Sequence, residues 1–215
     1  MRGFADRLSV RFSMAPIVYL PGAGGSAAFW KPVADLLADV GTPVCLGWPG
    51  FGDEPADPLV HSLSDLVGWT LSRMPAFASD LVAQSMGGVV ATRIALEHPA
   101  RVRRLVLCAT SGGVEAASLG QEDWRPSYRA AFPDVPDWFV VDRTDLTLRL
   151  PTLVAATLVV HGDRDPLCPV SLARFLVDAI PGARYASIAG GDHLVARARP
   201  EELAFILREH LTASS

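Results

Sequence analysis

Apolar residues alternate between two patterns along this chain. Short runs of almost continuous apolarity occur in PIVYL (16–20), PVCLGW (43–48), DLVAQ (80–84), RLVLCA (104–109), TLVVHG (157–162) and RYASI (184–188), each bounded by Pro, Gly or a charged residue. Apolarity at consecutive positions implies burial on both faces, which is how strands of a parallel sheet covered by helices read. Between these runs lie amphipathic segments over 27–40, 62–74, 86–98, 169–180 and 200–211. In the last, Leu203, Ile206, Leu207 and His210 recur at spacings of three and four, while Glu201, Glu202, Arg208 and Glu209 fall mainly on other faces. Pro200 and the two glutamates suit a helix start, because proline fits the first turn and acids favour the positive end of the helix dipole. The alternation predicts βαβ units and an α/β fold.

One region breaks the rhythm. Residues 112–150 carry Trp124, Tyr128, Phe132, Trp138 and Phe139 among Pro126, Pro133, Pro136 and many charges, with no clean period. A segment of this kind, inserted between two strands, either covers a site as a small lid or forms a long surface excursion. No repeat or interdomain linker is visible, so residues 1–215 read as a single domain with a lid-like insertion.

Composition narrows the function classes. With 215 residues and half of them hydrophobic, the chain has ample material for a buried core. A net charge of -4 supplies no basic stripe for a phosphate backbone, so nucleic acid is not an expected partner. Cys45, Cys108 and Cys168 are odd in number and widely spaced, with no CxxC and no zinc-ligand spacing, which fits a reducing compartment. The opening stretch MRGFADRLSVRFSM has no apolar run of signal-peptide length, and no segment is long enough to cross a membrane. A cytoplasmic location without membrane attachment is the expectation, and no metal or cofactor is implied.

The chemistry concentrates in four short stretches. In AQSMGG (83–88), Ser85 stands between a strand-like run and a helix-like run, the strand-turn-helix context of the G-x-S-x-G nucleophile motif, with Ala83 in place of the first glycine. The competing explanation is a plain tight turn of small residues. After TLVVHG comes DRDPLCP, placing Asp165 where a parallel strand delivers its C-terminal loop. After RYASI comes AGGDHL, where His193 sits in a glycine-bearing loop before the final helix. A serine hydroxyl is a weak nucleophile until an imidazole takes its proton, and a carboxylate must then hold the other ring nitrogen. Ser85, Asp165 and His193 therefore form a candidate triad in the order serine, acid, histidine. Any one histidine on its own is more simply a surface or core residue. The early loop YLPGAGGSAAFW (19–30) offers unpaired backbone N–H groups. Ala23, or alternatively Gly24, together with the amide of Met86, could form an oxyanion hole. This loop matches neither of the phosphate-binding patterns G-x-x-x-x-G-K-[ST] and G-x-G-x-x-G.

On these residues, and on GWPGFGDEP (47–55), the chain resembles the α/β-hydrolase superfamily over nearly its whole length. The resemblance implies a mostly parallel sheet of six to eight strands flanked by helices, with a short lid insertion. The family's first two strands are barely visible in RLSVRF, before Met14. Its acid motif G-x-x-D-x-x-x-P matches Gly162, Asp165 and Pro169, which favours Asp165 over Asp163. The PGFG and SMGG stretches are similar to those of compact carboxylesterases, pimeloyl-[acyl carrier protein] methyl ester esterases among them. What this implies is a serine hydrolase of a carboxylic ester acting through a Ser85 acyl-enzyme. The same triad could serve a thioester or a carbon-carbon bond, and a non-catalytic binding scaffold is the reading from another class. Trp30, Phe51, Trp124, Trp138, Phe139 and Leu194 are candidates for an apolar acyl pocket, with ordinary core as the alternative. Arg125, Arg129, Arg143 and Arg149 could meet an acidic acyl carrier holding the substrate, or form a solvated charged face.

Overall fold

Each continuous apolar run becomes a strand. The computed structural model describes residues 14–52 and 54–213. Its strands are β1 (Pro16–Leu20), β2 (Thr42–Cys45), β3 (Ser79–Gln84), β4 (Val102–Cys108), β5 (Ala156–Gly162) and β6 (Arg184–Ile188). They form one sheet in the order β2-β1-β3-β4-β5-β6, with every neighbouring pair parallel. β1 and β3 are buried throughout, as their unbroken apolarity requires, whereas the partly exposed β2 lies at an edge and accommodates Pro43 there. The stretch RLSVRF lies outside the described residues.

Among the described residues, the helices are α1 (Lys31–Leu36), α2 (Leu63–Arg73), α3 (Met86–Glu97), α4 (Arg125–Ala131), α5 (Trp138–Val141), α6 (Val170–Ala179), α7 (Val195–Ala198) and α8 (Pro200–Thr212). Alternate strand positions feed opposite layers, as the two-residue period of a strand demands. Val18, Leu20, Leu81, Leu105 and Leu107 pack with α2, α3 and α6. On the other face Ile17, Tyr19, Val82, Val106 and Leu158 pack with α1, α7 and α8. None of these helices is long and apolar enough to cross a membrane.

Two segments differ from expectation for identifiable reasons. The helix expected over 27–40 splits into a 3-10 turn (Ala27–Trp30) followed by the short α1, because Pro32 in the first turn of α1 has no N–H with which to continue the preceding turn. The strand expected over 43–48 ends at Cys45, and the chain then turns so that the Trp48 amide donates to Gly25 O at 2.8 Å and its indole to Pro21 O at 3.0 Å. Between β4 and β5 the region without periodicity forms α4, α5 and two 3-10 turns.

Strand order reverses at β1, which sends the chain to β2 on one side and to β3 on the other. In an open parallel sheet such a reversal leaves a crevice beyond the carboxyl ends of the two strands, where ligands bind. Leu20 of β1 is paired with Ala83 of β3, so the glycine-rich loop and Ser85 emerge side by side at that crevice.

Candidate active site

Ser85 occupies the turn from β3 into α3 with φ 52° and ψ -119°. A residue with a side chain held at positive φ outside a helix costs on the order of 1–3 kcal/mol, so its surroundings must enforce it. They do so through the backbone. The Ser85 amide donates to Cys108 O at 3.1 Å, and its carbonyl accepts from the Thr110 hydroxyl at 2.6 Å and from the Gly88 amide at 2.9 Å. Small residues are needed at this crowded turn: a Cβ at Gly88 would overlap the Thr110 side chain. Ala83, which replaces the motif's first glycine, is fully buried in the core and its methyl fits there.

The loops after β5 and β6 bring the other two candidates to this serine. His193 Nε2 lies 3.1 Å from Ser85 Oγ, and His193 Nδ1 lies 2.8 Å from Asp165 Oδ2. The other carboxylate oxygen of Asp165 accepts the amides of Leu167 at 2.8 Å and Cys168 at 3.0 Å. Four hundredths exposed, Asp165 is thus fixed by its own loop with one oxygen left for the imidazole. Asp163 is exposed and accepts the Gly190 amide, which excludes it from this arrangement.

The loop after β1 completes the site. A Cβ at Gly22 would overlap Gln84 Oε1 and lie 3.1 Å from Ser85 Cβ, so glycine permits the close approach of this loop to the serine. Among the described residues, the amides of Ala23, Gly24 and Met86 have no hydrogen-bond acceptor, and all three residues line the cavity above Ser85. Unpaired N–H groups beside a nucleophile are what an oxyanion hole consists of.

That cavity has a volume of about 1030 Å³, at the upper end of ordinary small-molecule pockets. Its wall includes Trp124, Phe139 and Leu194, together with Phe29 and Tyr128. Trp30, Phe51 and Trp138 do not line it. Trp30 is buried in the opposite layer of the core against Tyr19 and Phe29, its indole donating to Leu20 O at 2.9 Å. Phe51 is fully buried and packs edge-on against Phe139 and Trp138. Trp138 packs against the same core and Phe139. Of the four arginines, Arg125 and Arg143 line the cavity, while Arg129 and Arg149 pair with Asp137 and Glu97.

Three residues that the sequence reading did not single out support the site. Gln84 bonds the carbonyl of His193, Thr110 bonds that of Ser85, and the Tyr128 hydroxyl of α4 donates to Ala23 O at 2.8 Å. Only Gln84 had a signal, its place beside Ser85 at a strand end. The other two are distant in sequence from what they hold. Asp165, Cys168 and His193 bring potential metal-ligand atoms within 4.8 Å of one another.

A family profile described as alpha/beta hydrolase fold matches residues 15–150. A pimeloyl-[acyl-carrier protein] methyl ester esterase of Aeromonas hydrophila is 34% identical over 53% of this chain and 44% of its own length. A 2-hydroxymuconate semialdehyde hydrolase of Pseudomonas sp. is 28% identical over 79% of this chain and 77% of its own. The crystal structure of a hydrolase from Pseudomonas aeruginosa superposes with a TM-score of 0.74 at 20% identity, covering 93% of this chain and 90% of that one. Against several curated relatives the chain spans about half of their length. With its six-stranded parallel sheet, its helices on both faces and the matching profile over more than half its length, the chain belongs to the alpha/beta hydrolase fold family.

Proposed function

We propose that this hydrolase-family protein cleaves carboxylic esters through an acyl-enzyme on Ser85. The observation that carries the reading is the hydrogen-bonded series from Ser85 Oγ through the His193 ring to the Asp165 carboxylate, at 3.1 and 2.8 Å. As Ser85 Oγ attacks the acyl carbon, His193 Nε2 takes its proton and becomes imidazolium. Asp165, its free rotation removed by the Leu167 and Cys168 amides, stabilises that charge. Negative charge on the former carbonyl oxygen is received by the amides of Ala23 and Met86, with Gly24 as the alternative donor; loss of one such donor costs roughly 3 kcal/mol of transition-state stabilisation. His193 then gives the proton to the leaving alcohol, and in the second half activates the water that releases the acid.

The substrate is a carboxylic ester, free or linked to an acyl carrier, whose acyl part meets Trp124, Phe139 and Leu194. Activity towards p-nitrophenyl esters of graded chain length tests the reaction. Ser85→Ala should lower turnover about a millionfold, because triad members act as a unit. A variant that keeps most of its activity removes the reading, and failure of the wild type to react with a fluorophosphonate favours a binding scaffold. A second reading, hydrolysis of a carbon-carbon bond by the same triad, is supported by the likeness to the semialdehyde hydrolase over most of both chains. Parallel assays with ester, thioester and diketone substrates separate these readings.

A further inference from the structure

Cys168 is not needed by the mechanism above except through its backbone amide. Its side chain is buried, 4% exposed, yet the residue forms part of the cavity wall together with Ser85 and His193. It is a free thiol, in no disulfide. The thiol, a carboxylate oxygen of Asp165 and a ring nitrogen of His193 lie within 4.8 Å of one another. Ligands of tetrahedral zinc lie roughly 3.5 Å apart, given bonds of about 2.0–2.3 Å, so closure by about 1 Å would complete a three-ligand site. Sulfur and imidazole together select a soft or borderline ion over magnesium or calcium.

We propose that Asp165, Cys168 and His193 form an inhibitory binding site for a soft divalent cation of the zinc and cadmium class. Charge favours it: a thiolate and a carboxylate together neutralise a dication, so no net charge is buried. Binding through either ring nitrogen disables the base. Through Nε2, the ion takes the lone pair that faces Ser85. Through Nδ1, it displaces the proton shared with Asp165, and that proton moves to Nε2, which can then no longer accept one from the serine. In both cases the imidazole stays neutral and the thiol proton leaves to solvent.

Inhibition rests on the proposed function, whereas binding does not, and the experiment reads both. Cadmium chloride is titrated into the full chain while cadmium–thiolate ultraviolet absorption and p-nitrophenyl ester hydrolysis are recorded. The expected result is an absorption band that grows as hydrolysis is lost, both reversed by a chelator and neither produced by magnesium. In Cys168→Ala and Cys168→Ser the band should vanish and the half-inhibiting concentration should rise about tenfold or more, whereas Cys45→Ser should respond as the wild type does. A band that survives loss of Cys168, or unchanged inhibition of those variants, overturns the site. If no ester is hydrolysed by any form, the functional reading fails and the band, with its loss in the Cys168 variants, still decides the site.

Discussion

Gln84 donates from Nε2 to the carbonyl oxygen of His193 at 3.1 Å, joining the residue before Ser85 to the loop that carries its partner imidazole. The two residues are 109 positions apart, and Gln84 is only 2% exposed. Its Oε1 faces Gly22, so one buried amide lies between the loops after β1 and β6. Gln84→Met keeps the length of the side chain and leaves the His193 carbonyl without its donor. An unpaired buried carbonyl costs about 1–3 kcal/mol, and here the freedom regained by the loop acts on the Nε2–Oγ alignment. Steady-state kinetics should show kcat lower by about tenfold or more, with KM for a short ester changed much less. Unchanged kcat would mean that the His193 loop holds its place without this bond.

Tyr128 reaches from α4 to the carbonyl of Ala23, whose amide is a proposed oxyanion donor. This hydrogen bond fixes the plane of the peptide between Ala23 and Gly24, and therefore also the direction of the Gly24 N–H. Tyr128→Phe preserves the ring packing against Trp124, Phe132 and Phe139 while removing the bond. The outcome expected is a several-fold loss in kcat with little change in thermal midpoint, since one partly buried hydrogen bond contributes only about 0.5–1.5 kcal/mol. A variant that loses stability but keeps kcat would assign Tyr128 to packing alone.

Acid should destabilise the fold through two buried histidines outside the candidate triad. His210 of α8 is buried, its Nε2 has no partner among the described residues, and burial followed by the nearby Arg104 lowers its pKa. Burial likewise lowers that of His161. In the unfolded chain both take up a proton near pH 6.5, whereas in the folded chain they resist until the pH is lower. The unfolded state therefore binds more protons in that window, and stability present above about pH 6.5 is lost as the pH falls. Urea unfolding at pH 7 and pH 5 should show the loss, and His210→Leu should make it smaller. An equal loss in that variant would exclude His210 as a contributor.

Much of this arrangement was legible in the chain because it follows from short-range pattern. The six continuous apolar runs became the six strands, and Ser85, Asp165 and His193 follow the ends of β3, β5 and β6, so parallel strands deliver them to one edge. Side-chain direction in irregular segments was not legible. Phe29 and Trp30 are adjacent in a 3-10 turn and share one core layer, yet of the two Phe29 alone also lines the cavity. The supports of the site were hidden for another reason: Thr110 acts on a residue 25 positions away and Tyr128 on one 105 positions away, and no periodicity encodes such pairings.

The backbone of Ser85 offers a last test, in which stability should be kept while chemistry is lost. At φ 52° and ψ -119° a side chain is strained by about 1–3 kcal/mol, while glycine adopts this geometry freely. Against this, Ser85→Gly increases the entropy of the unfolded chain, which costs about 0.5–1 kcal/mol, and loses one hydrogen bond to His193. With the hydrogen bond counted at about 0.5–1.5 kcal/mol, the costs roughly offset the relief of strain, so Ser85→Gly should lie within about 1 kcal/mol of the wild type while ester turnover vanishes. Ser85→Ala retains the Cβ and hence the strain, and should be less stable than Ser85→Gly. Thermal unfolding of the three proteins side by side decides it: if glycine proves the least stable, the strained turn is not where this fold gives up stability to hold Ser85.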